Sequence, residues 1–222
     1  MNKNLLGKAL RYALLAFVGL RLWTIIIMLI ASMIMPGQIR SNFPFVEETA
    51  YALEQGWFNL FFLAPWYRFD TVHYLEIAAG GYSYATLTTW APLYPALIYL
   101  LHLTGISPMA AAIFISNLAC FVAFIIIYIF VSQINNEAMA RRVLMFLVTF
   151  PSAFFLMAGY TESLFLMLST ACLWALWKRH WPSAAILAAF ATMTRFQGIL
   201  LVIPAFWLIW LDLHMFPVQT WA

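Results

Sequence analysis

The run Arg68-Phe69-Asp70-Thr71-Val72-His73-Tyr74 sets an acid, an imidazole and a phenol in close succession. On a helix starting near Asp70, His73 and Tyr74 fall at i+3 and i+4, so the three share a face. A carboxylate there has two readings. It can serve as N-cap or first-turn acid, where the helix terminus favours negative charge. It can equally act as a general base toward a substrate hydroxyl, provided the hydroxyl comes within hydrogen-bond reach. Spacing alone leaves both open.

Two other ionisable residues stand out by their surroundings. Glu162 and Arg195 each interrupt a long apolar run. An ionised group at membrane depth is costly and marks a functional candidate by default. The plainer reading is a mutual salt bridge or a pair of turn residues exposed to water. In either case the expectation is that the two lie within reach of each other or of a common ligand.

The elements that must position these residues are apolar. The chain has 222 residues, 65% hydrophobic and 9% charged, with a mean hydropathy of +0.90. Soluble domains carry about 25% charged residues. Residues 77–136 contain no Asp, Glu, Lys or Arg. The composition points to a polytopic, all-α transmembrane bundle and excludes a disordered chain, a nucleic-acid binder and a secreted disulfide scaffold. Cys120 and Cys172 lie within apolar runs and read as small buried hydrophobes. No compact set of oxygen ligands calls for a metal, and no motif calls for a cofactor; Glu47 and Glu48 read as a solvated helix start.

Spans are expected near residues 12–37, 92–103, 110–131, 143–158, 161–177, 183–196 and 198–212, in one membrane domain covering 1–222. Lys3, Lys8 and Arg11 precede the first span and assign its start to the cytoplasm; no cleaved signal peptide is expected. Arg21 is expected to snorkel to the interface on its long stem. Residues 143–177 would make a helix of roughly 52 Å, too long for a core of about 30 Å, so the chain must turn around 151–162. Residues 133–142 read as a polar turn ending in Arg141 and Arg142. The signs conflict there: two crossings after residue 91 would carry that pair outside, unless 92–103 fails to cross.

Residues 38–91 form the expected outer loop, holding Glu47, Glu48, Glu54, Asp70 and Glu76 among many Trp and Tyr. Amphipathic helices are expected over 46–63 and 71–79. A loop of this size in a small protein is usually functional.

The Arg68–Tyr74 run continues through Leu75 into Ile77-Ala78-Ala79-Gly80-Gly81-Tyr82. Three further blocks follow in order: Ala91-Pro92-Leu93-Tyr94-Pro95; Phe150-Pro151-Ser152-Ala153-Phe154-Phe155 leading to Tyr160-Thr161-Glu162-Ser163-Leu164-Phe165; and Ala191-Thr192-Met193-Thr194-Arg195-Phe196-Gln197-Gly198. Together they resemble the PIG-V mannosyltransferase family, which includes the glycosylphosphatidylinositol mannosyltransferase 2 enzymes and belongs with the GT-C glycosyltransferases. Phe69 stands where the family commonly has Trp. The resemblance implies transfer of a hexose, usually mannose, from a polyprenyl-phosphate donor, with inversion, to a lipid- or surface-linked glycan acceptor. It implies Asp70 as the base, with His73, Tyr74, Tyr94, Tyr160 and Gln197 around the substrate. Arg68 or Arg195 would hold the phosphate, since guanidinium pairs well with its oxygens, and Glu162 would orient Arg195 or bind sugar hydroxyls. The active site would face the non-cytoplasmic side, of the plasma membrane in a prokaryote or the endoplasmic reticulum in a eukaryote. Members generally continue through several more spans, so a truncated product holding the N-terminal module is the expectation. A transporter or flippase with Glu162 and Arg195 along its path, or a non-catalytic membrane subunit, are the competing readings.

Overall fold

A computed structural model describes residues 3–34, 66–67 and 69–215 of the chain. Arg68, the helix expected over 46–63 and its acidic residues lie outside the described residues. Eight α-helices follow in order among those described: α1 (Lys3–Ile34), α2 (Asp70–Gly80), α3 (Leu93–His102), α4 (Pro108–Ile134), α5 (Glu137–Thr149), α6 (Glu162–Trp177), α7 (Trp181–Thr194) and α8 (Val202–Met215). Short 3₁₀ turns occupy Ala85–Thr89, Ala153–Met157 and Phe196–Leu201, and no strand occurs among the described residues. The architecture is an all-α bundle. Three of its helical stretches, Lys3–Ile30, Pro108–Ile134 and Phe196–His214, are long and apolar enough to cross a membrane.

Helix α4 is the spine. It is apolar all round, as a helix surrounded by others must be, and half of its most apolar window is buried, against 17% for α1 and 6% in the stretch ending in α8. Pro108 opens it at the first turn, where a missing N–H costs nothing, and the Ser107 hydroxyl accepts from Ala110 N. Helix α5 is capped by Asn136, whose side chain accepts from Met139 N at 2.9 Å.

Paired contacts fix the directions. Lys8 meets Glu137, Tyr12 stacks on Tyr128, Phe17 meets Phe121 and Arg21 meets Asn117, so α1 runs antiparallel to α4. Trp174 Nε1 donates to Gln133 Oε1, and Arg179 pairs with Asp212, bringing the ends of α4, α6 and α8 together. The opposite part of the bundle holds the start of α2 and of α6.

Several boundaries differ from the sequence reading. Helix α1 begins at Lys3, and Arg21, partly buried, lies about 20 Å along it from Lys8. There its Nη2 donates to Asn117 Oδ1 at 2.7 Å. The sequence reading gave the guanidinium no partner, and the fold supplies one on α4. Arg141 and Arg142 lie inside α5, not in a turn, because the Asn136 cap starts that helix early. Helix α3 has ten residues, about 15 Å, and folds back against the first turns of α4. A half-length arm leaves Lys8 and Glu137, and hence both basic clusters, at one end. The breaks expected around 151–162 and near Arg195 are present.

Candidate active site

Backbone geometry sets the first element. Phe69, just before α2, has φ 50° and ψ −127°, a region costly for an aromatic residue and found where surrounding structure enforces it. The residue is 69% exposed. The twist lets the helix begin abruptly at Asp70, half-buried in the first turn, where the positive end of the helix faces it. Asp70 is therefore the first helical residue, not the cap, and no side chain caps this helix.

From Asp70 the face divides. Thr71 and Tyr74 turn inward. Thr71 Oγ1 donates to Gly159 O at 3.2 Å, and Tyr74 OH lies 3.3 Å from Thr161 Oγ1. The Tyr74 ring meets Tyr94 edge-on at 5.1 Å. His73 instead lies against Trp90, ring centroids 4.3 Å apart, with Nδ1 3.9 Å from Glu76 Oε2. That distance allows ionic attraction but no hydrogen bond, and the shielded Nδ1 has no hydrogen-bond partner among the described residues.

The second element is the turn entering α6. Glu162 Oε1 and Arg195 Nη1 are 2.7 Å apart, the pairing the apolar runs called for. Glu162 Oε2 is shielded and has no hydrogen-bond partner among the described residues, so the carboxylate keeps acceptor capacity. Arg195 owes its place to a tight return: a Cβ at Gly198 would sit 2.3 Å from Thr192 N, so only glycine lets the following 3₁₀ turn press on the end of α7.

These elements share one electrostatic field. Burial pushes the Tyr74 hydroxyl up to about 12; its contact with Thr161 lowers it, Asp70 and Glu162 raise it and Arg195 lowers it. Burial also raises Tyr160, with Asp70 and Glu162 adding to it. The phenols thus stay protonated, as donors, beside two carboxylates.

A cavity of about 760 Å³ opens beside the ion pair. Phe146, Phe150, Phe155 and Phe165 wall it, while Glu162, Arg195 and Gln197 supply its polar end. Such a site is shaped for an amphiphile with a long apolar part and a compact anionic or polyhydroxyl head.

Comparison with known proteins agrees with the blocks read from sequence. Residues 9–211 match the family described as Mannosyltransferase (PIG-V). The chain belongs to the PIG-V mannosyltransferase family. A curated relative, GPI mannosyltransferase 2 of Schizosaccharomyces pombe (strain 972), is 29% identical over 153 residues, 66% of this chain and 32% of its own length. The chain thus spans about a third of that relative. No solved structure matches.

Within this PIG-V family chain, the structure gathers Asp70, Tyr74, Tyr160, Glu162 and Arg195. Gln197 lines the same cavity but is exposed. Tyr94 is fully buried, its OH 2.9 Å from Ala112 O and 2.7 Å from Ser116 Oγ, so it braces the site from behind. His73 lies to one side with Trp90. Sequence reasoning missed Ser116, Gly159 and Thr161. Gly159 adjoins a quoted block and Thr161 lies inside it without a role of its own, whereas Ser116 sits in an apolar helix with no signal around it.

Proposed function

We propose that this chain carries the donor-binding and base-bearing part of a membrane enzyme that transfers mannose from a polyprenyl-phosphate donor to a hydroxyl of a lipid- or surface-linked glycan, with inversion. The observation that carries the reading is the Glu162–Arg195 pair at the polar end of an aromatic-walled cavity. The isoprenoid chain lies along the cavity. Arg195 gives charge-assisted hydrogen bonds to the phosphate, and Glu162 both fixes that guanidinium and offers Oε2 to a sugar hydroxyl.

Asp70 takes the proton of the acceptor hydroxyl as its oxygen attacks C1 of the mannosyl group. The C1–O bond to phosphate breaks, and polyprenyl phosphate leaves with the bonding pair on its oxygen. One displacement needs one base and inverts the centre. No glycosyl-enzyme intermediate forms, so a second nucleophilic carboxylate is unnecessary. Arg195 balances the charge that gathers on the departing phosphate, the kind of preorganised stabilisation that acts strongly away from water. Tyr74 and Tyr160, kept protonated, border the reacting centre as donors. The spans pass the membrane several times, with this site on the non-cytoplasmic face.

The test is radiolabelled mannose transfer from polyprenyl-phosphate mannose in membranes expressing the full reading frame. Label appearing in a glycolipid or glycan product supports the proposal. No transfer from this donor, with transfer from a nucleotide sugar instead, overturns it.

A further inference from the structure

The segment between the 3₁₀ turn Ala153–Met157 and α6 is non-helical yet closed off from solvent. Ala158, Tyr160 and Thr161 are all at most 7% exposed. Buried carbonyls without helix partners need other donors. Here consecutive residues are each met by a side-chain hydroxyl. Gly159 O accepts from Thr71 Oγ1, Tyr160 O accepts from Ser116 Oγ at 2.7 Å, and Thr161 Oγ1 meets Tyr74 OH. Ser116 has one hydroxyl proton and gives it to Tyr160 O. Tyr94 OH, which donates to Ala112 O at 2.9 Å, lies 2.7 Å from Ser116 Oγ. Gly159 permits the close approach: a Cβ there would lie 3.3 Å from both Thr71 Cγ2 and Ala112 Cβ.

The ends of this network matter most. Thr71 directly follows Asp70, and Thr161 directly precedes Glu162. A carboxylate on α2 and an ion pair between α6 and the end of α7, far apart in sequence, are thus tied by two contacts: Thr71, next to Asp70, donates to Gly159 O, and Thr161, next to Glu162, meets Tyr74 OH. We propose that residues 159–161 form a strap that registers the Glu162–Arg195 pair against Asp70, with Thr71 and Ser116 as its positioning residues. The inference rests on the mannosyl-transfer reading for its kinetic consequence, though not for its geometry. If Asp70 serves the acceptor and Arg195 the donor, loosening the strap separates two well-built half-sites without damaging either. Donor binding persists while the reacting atoms fall out of alignment.

The test uses the full-length enzyme in lipid vesicles, with Thr71→Val, Ser116→Ala and Thr71→Ser compared per folded molecule. Misplacement of about 1 Å costs on the order of 10²-fold in rate, so kcat should fall about tenfold to hundredfold in the first two variants. Donor KM should stay within about twofold, and Thr71→Ser, which keeps the hydroxyl, should recover most of the rate. In parallel, spin labels at Ala79→Cys on α2 and Met193→Cys on α7 report the separation of the halves. The distance distribution should widen with Thr71→Val and stay narrow with Thr71→Ser. An unchanged kcat per folded molecule, or a distribution that does not widen, overturns the strap. If the parent enzyme transfers no mannose from the donor, the functional reading fails, and the distance distributions alone then decide the strap.

Discussion

The two ends of the bundle are held by similar ion pairs put to different use. At one end Lys8–Glu137 and Arg179–Asp212 are 2.8 and 2.7 Å long. At the other, Glu162–Arg195 is also 2.7 Å. Lys8 Nζ reaches both Glu137 oxygens, and the pair is open to solvent, where such contacts add little to stability. Glu162 keeps one shielded oxygen without a hydrogen-bond partner among the described residues and shares a cavity wall with its arginine. Bond length does not distinguish the pairs. What does is a shielded carboxylate oxygen beside a cavity at one end and carboxylates open to water at the other, and a ligand can use the acceptor capacity of the first.

The largest expected effect comes from Asp70→Asn. Asparagine keeps the size and still suits a helix start, but it takes no proton at neutral pH. Transfer should fall by about 10²–10⁴-fold, the usual contribution of a general base, with expression and melting temperature near those of the parent. Because Asp70 follows the cap rather than forming it, lost capping cannot produce such a fall. Normal turnover in this variant would remove Asp70 from the mechanism and make Glu76 the next described carboxylate to test.

Arg195→Lys sharpens the contrast at the ion pair. Lysine keeps the charge and loses the planar fork that binds phosphate through paired donors. A hydrogen bond to a charged group is worth about 1.5–3 kcal/mol, so the KM for the donor should rise roughly tenfold to hundredfold. The kcat should change less. A KM equal to the parent's would show that Arg195 serves only Glu162.

The sequence made the ionic parts of this site legible and hid the neutral ones. Asp70 stands at the start of its helix because carboxylates favour that position, and Glu162 and Arg195 were conspicuous because charge in apolar sequence needs a partner. The break around 151–162 followed from helix length against membrane thickness. Ser116 gave no such signal, since a lone hydroxyl in a helix commonly satisfies a carbonyl of its own turn, and Thr161 stood in a quoted block with nothing to show what its hydroxyl meets. Their role depends on which backbone segment packs opposite, which only the fold reveals. The partner of Arg21 was hidden for a related reason. Snorkelling is inferred from the length of one side chain, whereas Asn117 lies on another helix.

The site end should also betray itself at alkaline pH. Tyr74 is raised to about 12 by burial first, with Asp70 and Glu162 adding to it, from an ordinary value near 10. Between those values the unfolded chain releases a proton that the folded one retains. The stabilising difference is whole below about pH 10 and is lost as pH rises toward 12, amounting to about 2–3 kcal/mol. Tyr74→Phe removes that group. Its alkaline loss of stability, followed by tryptophan fluorescence in detergent, should be shallower than the parent's, although its stability at pH 8 is slightly lower for want of the Thr161 contact. Parallel curves would mean that Tyr74 ionises as freely when folded as when unfolded.

The smallest effect is expected at the opposite end, and it decides whether the contrast holds. Lys8→Met removes the cation from the Lys8–Glu137 pair while keeping an unbranched apolar stem against α5. Glu137 is left with 38% of its side chain exposed, so water can take over its hydrogen bonds. The same residue remains a first-turn acid of α5, where the helix terminus favours it. Melting temperature in detergent at about the ionic strength of a cell, where exposed charges are screened beyond about 8 Å, should match the parent. Donor KM and kcat should match as well, because Lys8 lies at the far end of the bundle from Asp70 and Arg195. Glu162→Gln is the paired control: its bond to Arg195 loses the charge, and the carboxamide offers one oxygen where the carboxylate offered two. Donor KM should therefore move with Glu162→Gln and stay fixed with Lys8→Met. Should both variants shift KM alike, the two ends would differ only in exposure, and the unpartnered oxygen of Glu162 would carry no meaning for substrate binding.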